Sequence, residues 1–199
     1  MFSAGIRPQD ALARACELEI GERGGIVINN QCTTSDPHIH AIGECALWNQ
    51  QIFGLVAPGY TMARTLAAAL NNDSDAAFTG ADMSTKLKLL GVDVGSIGDA
   101  HAKTPGARSI RFNDEKVGHY RRMVISADGK KVLGAILVGD NSHYDTLLQY
   151  ALNGIDLPDN PESLILPESQ GGAPTLGADA LPDSASICSC HNVTKGDIC

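Results

Sequence analysis

The sequence lacks the features that would assign it to a membrane or a nucleic-acid-binding class. It has no apolar run near the roughly 20 residues of a membrane-spanning helix, and its first ten residues lack the basic and apolar regions of a signal peptide. Acidic residues outnumber basic ones, 23 to 15, and the charge of -8 is spread without long runs. A broad basic surface for nucleic acid or anionic lipid is therefore excluded. We expect a cytoplasmic protein with neither kind of partner.

Cysteine is also scarce. The 6 cysteines in 199 residues are too few and too unevenly spaced for a disulfide scaffold, which fits a reducing compartment. Cys188 and Cys190 are separated by one residue, and this spacing favours a shared metal over a disulfide between them. The hydrophobic content of 43% is ordinary and predicts a globular chain.

The first part of the chain alternates between helix and strand patterns. Residues 11 to 18 predict a short helix that places Cys16 on its core-facing side. The apolar run at residues 26 to 28 predicts a buried strand. Residues 61 to 70 (TMARTLAAAL) are rich in good helix formers and predict a helix that stops at Asn71.

The hexapeptide IHAIGE, residues 39 to 44, predicts a strand that ends in a glycine and a carboxylate. Gly43 lacks a side chain, so a ligand can approach the backbone closely, and the Glu44 carboxylate can accept hydrogen bonds from ligand hydroxyls. Ligand sites of open α/β sheets lie beyond the carboxyl ends of the strands. Strands followed by such a turn are also common without any ligand, so the hexapeptide alone leaves a structural role open.

Residues 83 to 156 show strands followed by one helix, which favours a compact α+β domain. The Asp128-Gly129 pair is a strong hairpin signal. A helix that Asp140 or Ser142 caps is predicted to end at Gly154. The predicted strands cover residues 86 to 94, 108 to 112, 120 to 126 and 131 to 138.

From residue 157 to residue 186 the composition shifts to proline, glycine, serine, aspartate and alanine, which predicts an irregular linker. Leu164, Ile165 and Leu166 are its candidate docking points. The remaining residues, 187 to 199, are too few to fold independently.

A family resemblance rests on four segments in a fixed order. They are SAGIRP at residues 3 to 8, GIVIN at 25 to 29, TSDPHIHAIGEC at 34 to 45 and GLVAP at 54 to 58. They resemble the FAD-dependent pyridine-nucleotide reductases of the glutathione-reductase-like superfamily, in particular the large subunit of assimilatory NADH-dependent nitrite reductase. The resemblance implies that Gly43 and Glu44 contact the ribityl and pyrophosphate region of FAD. It implies that four more residues approach the flavin ring: Leu55, Val56, Ala57 and Pro58.

The tail ICSCHNVTKGDIC, residues 187 to 199, resembles the opening of the [2Fe-2S] domain of the bacterioferritin-associated ferredoxin type. In that family a C-x-C pair, here Cys188 and Cys190, binds the cluster together with a later C-x-x-C pair. Cys199 does not fall at a ligand position. Spacing alone leaves free thiols open, and it leaves open a zinc site that includes His191.

No G-x-G-x-x-G segment follows a strand anywhere in the sequence, although the FAD and NADH sites of the family both need that turn. We therefore expect an internal fragment that lacks stable FAD binding, the nicotinamide site and an intact cluster, and we name no catalytic residue. The incomplete nucleotide-binding domain is expected to favour self-association. The apolar residues expected to be exposed are Ile26, Val27, Ile28, Ile39 and Ile42.

The predicted fold class is α/β plus α+β. Residues 1 to 78 are expected to be the C-terminal part of a FAD-binding dinucleotide fold, and residues 83 to 156 a small strand-hairpin-helix domain. Residues 157 to 186 follow as the linker, and residues 187 to 199 as the start of a truncated [2Fe-2S] domain.

For the intact protein the resemblance implies a nitrite reductase of nitrate assimilation. Electrons would pass from NADH through FAD and the [2Fe-2S] and [4Fe-4S] centres to sirohaem, where nitrite becomes ammonium. The sequence leaves open whether the protein prefers NADH or NADPH. It also leaves open whether a nitrite reductase small subunit is a partner.

Two other functions stay open as well. A related FAD-dependent rubredoxin or ferredoxin reductase would share residues 1 to 78 but lack the C-x-C tail. Residues 83 to 156 also fit a dimerisation or interaction module, because a strand with an exposed edge can pair with another chain.

Overall fold

A computed structural model describes residues 5 to 167, 170 to 172, 177 to 188 and 193 to 199. The chain divides into two compact units, Met1–Met83 and Ser84–Cys199, here called the N-terminal unit and the C-terminal unit. Among the described residues, no helix has the length and apolar character needed to cross a bilayer.

The N-terminal unit combines two helices with a small mixed sheet. Its elements are α1 (Ala11–Ala15), β1 (Ile26–Ile28), a 3-10 turn (Gly43–Cys45), β2 (Ala46–Trp48), β3 (Gln51–Ile52) and α2 (Val56–Leu70). The strand order is β1-β2-β3, with β1 parallel to β2 and β2 antiparallel to β3. The strand predicted at residues 26 to 28 is confirmed as β1.

Helix α1 is shorter and less buried than predicted. It ends at Ala15, and the positive φ of 57° at Glu17 turns the chain away before an apolar stripe can form. The helix buries only Ala13, and Cys16 is exposed. The prediction of Cys16 as a core residue is therefore wrong.

An aromatic cluster forms the core of the N-terminal unit. Phe53 and Phe78 pack edge to face with ring centroids 5.4 Å apart, and Trp48 packs on Phe78 at 5.1 Å. Such pairs contribute about 0.5–1.5 kcal/mol beyond their buried area. Met62 of α2 and Ile28 of β1 complete the cluster, with 0% and 6% exposure. The prediction that Ile28 is exposed is therefore wrong.

The C-terminal unit is built on a five-stranded antiparallel sheet. Its strands are β4 (Thr85–Leu89), β5 (Val92–Gly98), β6 (Arg108–Asp114), β7 (His119–Ile125) and β8 (Val132–Val138). Their order is β4-β5-β8-β7-β6. Helix α3 (Tyr144–Asn153) follows, and a short hairpin of β9 (Ser186–Cys188) and β10 (Val193–Thr194) lies near the end.

The single strand predicted at residues 86 to 94 is wrong, because a turn divides it. Leu90 and Gly91 both have positive φ, 51° and 85°, and they join β4 to β5 as a two-residue hairpin loop. This geometry matches the type I′ turn, whose twist suits a tight hairpin. The predicted hairpin at Asp128-Gly129 is confirmed, with β7 and β8 on either side.

Helix α3 and a later segment cover one face of the sheet. Met123 and Leu137 of the sheet and Leu147 of α3 are fully buried there. The helix begins at Tyr144, after the residues predicted to cap it, and ends at Gly154 as predicted. The core also includes two residues of the predicted linker with 4% and 1% exposure, Leu164 and Ile165.

A buried arginine joins this sheet to the segment that follows α3. The Arg121 side chain is 4% exposed; it pairs with the Asp140 carboxylate and donates to the carbonyl of Ile165 at 2.9 Å. The guanidinium also lies 5.6 Å from the centroid of the Phe112 ring. Burial acts to raise the pKa of Asp140, but hydrogen bonds from Ser142 and the Arg121 charge outweigh it and lower that pKa.

Candidate functional site

The Gly43–Glu44 pair does not end a strand. Within residues 39 to 42 there is only one isolated β-bridge, in which His40 pairs with Thr33. Gly43–Cys45 forms a 3-10 turn that precedes β2. The reason lies in Thr34, whose backbone N–H and hydroxyl both donate to the carbonyl of Ile39, at 3.0 and 2.9 Å. These bonds close a loop where the residue pattern indicated an extended strand.

Gly43 combines a backbone conformation that favours glycine with open space around it. Its φ is +79°, a conformation that side chains of L residues rarely adopt, and a Cβ built there would meet no atom within 4 Å. Its backbone N–H donates to the sulfur of Met62 at 3.3 Å, which fixes the turn to α2. Glu44 is exposed. The turn therefore presents a bare backbone and a carboxylate at an open surface.

Helix α2 begins at Val56, five residues before the predicted start. Leu55 is its N-cap and makes no side-chain cap hydrogen bond, so the backbone N–H groups of Val56 and Ala57 lack the usual capping oxygen. Pro58 has no N–H, and its fixed φ suits the first turn of a helix. The partial positive charge of this helix end favours a polar or anionic acceptor beside it.

The turn and the start of α2 are in contact. A Cβ added to Gly59 would lie 3.6 Å from the Cα of Gly43, at ordinary van der Waals distance, so the two backbones lie side by side. The structure therefore brings the turn that contains Gly43 and Glu44 against α2, whose first residues are Val56, Ala57 and Pro58 and whose N-cap is Leu55. Gly59 and Met62 make the contact, and neither was predicted from the sequence. The glycine within the first turn of α2 was the available signal.

An apolar rim surrounds this contact. Ile42 is 37% exposed, and Val56 and Tyr60, one helical turn apart on α2, are 73% and 60% exposed. Ligand sites commonly combine apolar surface with a few polar groups. Apolar side chains beside backbone N–H groups and a carboxylate suit a flat aromatic group with a polar edge.

The cysteine pair is described only in part. Cys188 lies in β9, opposite Val193 of β10, and Cys190 lies outside the described residues. Within the described ranges, no group of three or more histidine, cysteine, aspartate or glutamate side chains is placed to hold a metal. Burial raises the pKa of the Cys32 thiol, so this cysteine behaves as an apolar core residue. Metal binding at Cys188 and Cys190 stays a prediction.

Comparison with known proteins gives consistent relatives along the whole chain. Residues 1–69 match the pyridine nucleotide-disulphide oxidoreductase family, and residues 84–155 match the rubredoxin NAD+ reductase C-terminal domain. The chain is 60% identical over 199 residues to the nitrite reductase (NADH) large subunit of Escherichia coli, which covers 100% of the chain. The chain is homologous to the nitrite reductase large subunit. A second such large subunit, from Klebsiella oxytoca, is 62% identical over 200 residues and also covers 100% of the chain.

These nitrite reductase large subunits are much longer than the chain. The chain spans 23% of the Escherichia coli protein and 21% of the Klebsiella oxytoca protein. Among solved structures, a ferredoxin reductase from Rhodopseudomonas palustris has a TM-score of 0.61 at 21% identity, covering 86% of this chain and 42% of that one. At this identity the likeness shows the fold alone. Together with the family matches it confirms the predicted fold class.

Proposed function

We propose that the chain is the segment of an NADH-dependent nitrite reductase large subunit that supplies one wall of the FAD site. It also supplies the first two ligands of a [2Fe-2S] cluster. In the whole protein, electrons pass from NADH through FAD and iron-sulfur centres to sirohaem, which reduces nitrite to ammonium. The observation that supports this proposal is the close packing of the Gly43 turn on the first turn of α2.

The residues at this contact fit a flavin nucleotide. Glu44 is exposed, and its carboxylate can accept hydrogen bonds from ribityl hydroxyls. The N–H groups of Val56 and Ala57 can donate to acceptor atoms of the cofactor, and the Leu55 and Val56 side chains offer apolar surface to a ring. A bound flavin would supply hydride-transfer and electron-transfer chemistry at this site. These residues bind and orient it and exclude water from one side.

The cysteine-bearing hairpin would supply the first half of a cluster site. An iron-sulfur cluster of this type takes four protein ligands. Cys188 and Cys190 would provide two of them, and a later part of the whole protein would provide the others. In the 199-residue chain alone we expect neither stable FAD binding nor an intact cluster, and we propose that its exposed apolar rim favours self-association. A nitrite reductase small subunit is the proposed partner of the whole protein.

The domain boundaries are also part of this proposal. Residues 1 to 78 would complete the FAD-binding domain, residues 83 to 156 would form the domain after it, and residues 157 to 186 would lead to the [2Fe-2S] domain.

A chimaera tests the proposal. In the chimaera, this chain replaces the homologous segment of the Escherichia coli nitrite reductase large subunit, to which it is 60% identical over 199 residues. We expect the purified chimaera to show oxidised-flavin absorption and nitrite-dependent NADH oxidation. Replacing both cysteines (Cys188→Ser with Cys190→Ser) should remove the iron of one [2Fe-2S] cluster and keep the flavin, because thiolates are the cluster ligands and lie outside the flavin site.

The flavin and the [2Fe-2S] cluster, measured separately, distinguish the competing functions. A chimaera without flavin, next to an unmodified large subunit that contains it, contradicts the FAD assignment. Flavin together with an iron content that the cysteine substitutions leave unchanged favours a rubredoxin or ferredoxin reductase. The absence of both chromophores favours the interaction module. The matched control is Cys16→Ser with Cys199→Ser, since both of these cysteines are exposed and neither belongs to the proposed ligand pair.

A further inference from the structure

The hairpin of β9 and β10 is too small to be stable by itself. It pairs three residues, Ser186–Cys188, with two residues, Val193–Thr194. Two-stranded hairpins of any length are marginal in water without packing against another element. A hairpin this short therefore needs an anchor, and its Cys188 makes the position of that anchor relevant to function.

Bonds within the C-terminal segment fold the hairpin region onto itself. The backbone N–H of Lys195 donates to the carbonyl of Ala185 at 2.9 Å, and the Lys195 ammonium donates to the carbonyl of Leu181 at 2.8 Å. The N–H of Gly196 donates to the carbonyl of Asp183 at 2.9 Å. These bonds close a compact loop, but none of them reaches α3.

Two amide side chains at the end of α3 provide that link. The backbone N–H of Ser186 donates to Oδ1 of Asn153 at 3.0 Å, and Nε2 of Gln149 donates to the carbonyl of Ser186 at 3.5 Å. Nδ2 of Asn153 in turn donates to Oε1 of Gln149 at 2.7 Å. Both backbone groups of one strand residue are thus held by side chains located 33 and 37 positions earlier in the chain.

The arrangement imitates a strand pairing. A strand residue normally exchanges one N–H and one C=O bond with its neighbour, and here the paired amides provide both bonds to Ser186. The bond between the two amides fixes the acceptor and the donor relative to each other. Because Asn153 is the last residue of α3, the hairpin is held at the C-terminal end of that helix.

We propose that Asn153 and Gln149 form an amide clip that docks the Cys188 hairpin on the C-terminal end of α3 and so fixes its position within the C-terminal unit. The clip recognises the backbone of Ser186, so it sets the location of the hairpin whatever its side chains bind. This inference does not depend on cluster binding. A cluster held by this hairpin would have its distance from α3 set by the clip.

Amide hydrogen exchange of the 199-residue chain tests the clip. Asn153→Ala removes the Oδ1 that accepts from the Ser186 N–H and the Nδ2 that donates to Gln149, and the higher helix propensity of alanine offsets the loss of the Nδ2 bond to the Gln149 carbonyl. We expect exchange at residues 186 to 188 to become about tenfold faster, as the loss of one or two hydrogen bonds implies. Exchange in β7 and β8 should stay unchanged. Asn153→Asp keeps the acceptor for the Ser186 N–H and should restore most of the protection.

Controls keep the result specific. Leu152→Ala alters the neighbouring exposed position on α3 and should leave exchange at residues 186 to 188 unchanged. Unchanged exchange in Asn153→Ala would overturn the proposal, and so would a rise shared equally by β7 and β8. Equal exchange rates at Ser186 in Asn153→Asp and Asn153→Ala would also overturn it, because the hydrogen bond to Asn153 would then not protect the Ser186 amide from exchange. Gln149→Leu is a second test of the clip. It removes the donor to the Ser186 carbonyl, so we expect a partial loss of exchange protection at residues 186 to 188.

Discussion

Replacing Arg121 by leucine should destabilise the C-terminal unit by about 3 kcal/mol, near the lower end of the range for breaking a buried ion pair. Leucine fills much of the volume but removes the cation paired with Asp140, which then keeps only its hydrogen bonds from Ser142, and it leaves the Ile165 carbonyl without its Arg121 donor. It also removes the cation that lies over the Phe112 ring. The measurement is urea unfolding followed by far-ultraviolet circular dichroism.

The neighbouring arginine provides the matched control. Arg122 points to the opposite face of the sheet, is only half-buried and donates to the Ser109 hydroxyl. Arg122→Leu should therefore cost about 0.5–1 kcal/mol, as expected for an exposed polar contact. In the Arg121→Leu background, Asp140→Asn should cost less than in the native chain, since the two groups interact directly. Equal losses of unfolding free energy in Arg121→Leu and Arg122→Leu would show that the Arg121–Asp140 pair does not hold the segment after α3 to the sheet.

Replacing Gly134 by alanine should destabilise the C-terminal unit by about 2–3 kcal/mol through overpacking. A Cβ at this position would lie 2.4 Å from the carbonyl carbon of Asp99 and 2.6 Å from the carbonyl oxygen of Ile97. Both are backbone atoms, so no side-chain rotation can relieve the clash. Strand β5 and the loop after it would have to move away from β8.

Gly177 provides the matched glycine in the same unit. A Cβ there would meet no atom within 4 Å, so Gly177→Ala should change the unfolding free energy by less than about 0.5 kcal/mol. The comparison uses thermal or urea unfolding of the two variants beside the native chain. If Gly134→Ala unfolds at the native midpoint, the close approach of β5 to β8 is looser than the structure indicates.

Local signals in the sequence predicted much of the fold. Asp128-Gly129 predicted the hairpin of β7 and β8, and Gly154 predicted the end of α3, where its φ of 56° requires a residue without Cβ strain. The apolar run of β1 also identified a strand without reference to any partner. These features depend on residues that are adjacent in the chain, so the sequence specifies them.

Features set by side-chain hydrogen bonds or distant packing were missed. The Thr34 hydroxyl closes a turn where alternating apolar residues suggested a strand. Leu90 adopts a positive φ that its residue type disfavours, and the turn there is stabilised by the pairing of β4 with β5. The amide clip joins residues more than 30 positions apart, and no local pattern encodes it.

The residues of the candidate site were predicted from the sequence, but their geometry was not. Gly43, Glu44 and the residues around Pro58 were assigned by resemblance to a family, and the structure places them together. Their geometry was not predictable, because it depends on the contacts of Gly59 and Met62 with the Gly43 turn.

The most direct test of the FAD assignment is FAD titration of the apo chimaera carrying Gly43→Val, compared with Gly118→Val. Both glycines have positive φ, +79° and +72°, and a Cβ added to either would meet no atom within 4 Å, so the backbone strain is matched. If the Gly43 turn lines the flavin site, Gly43→Val weakens FAD binding at least about tenfold, or 1.4 kcal/mol. Gly118→Val then leaves the dissociation constant within about twofold of the unsubstituted chimaera. Equal FAD affinity in the two variants would contradict the assignment.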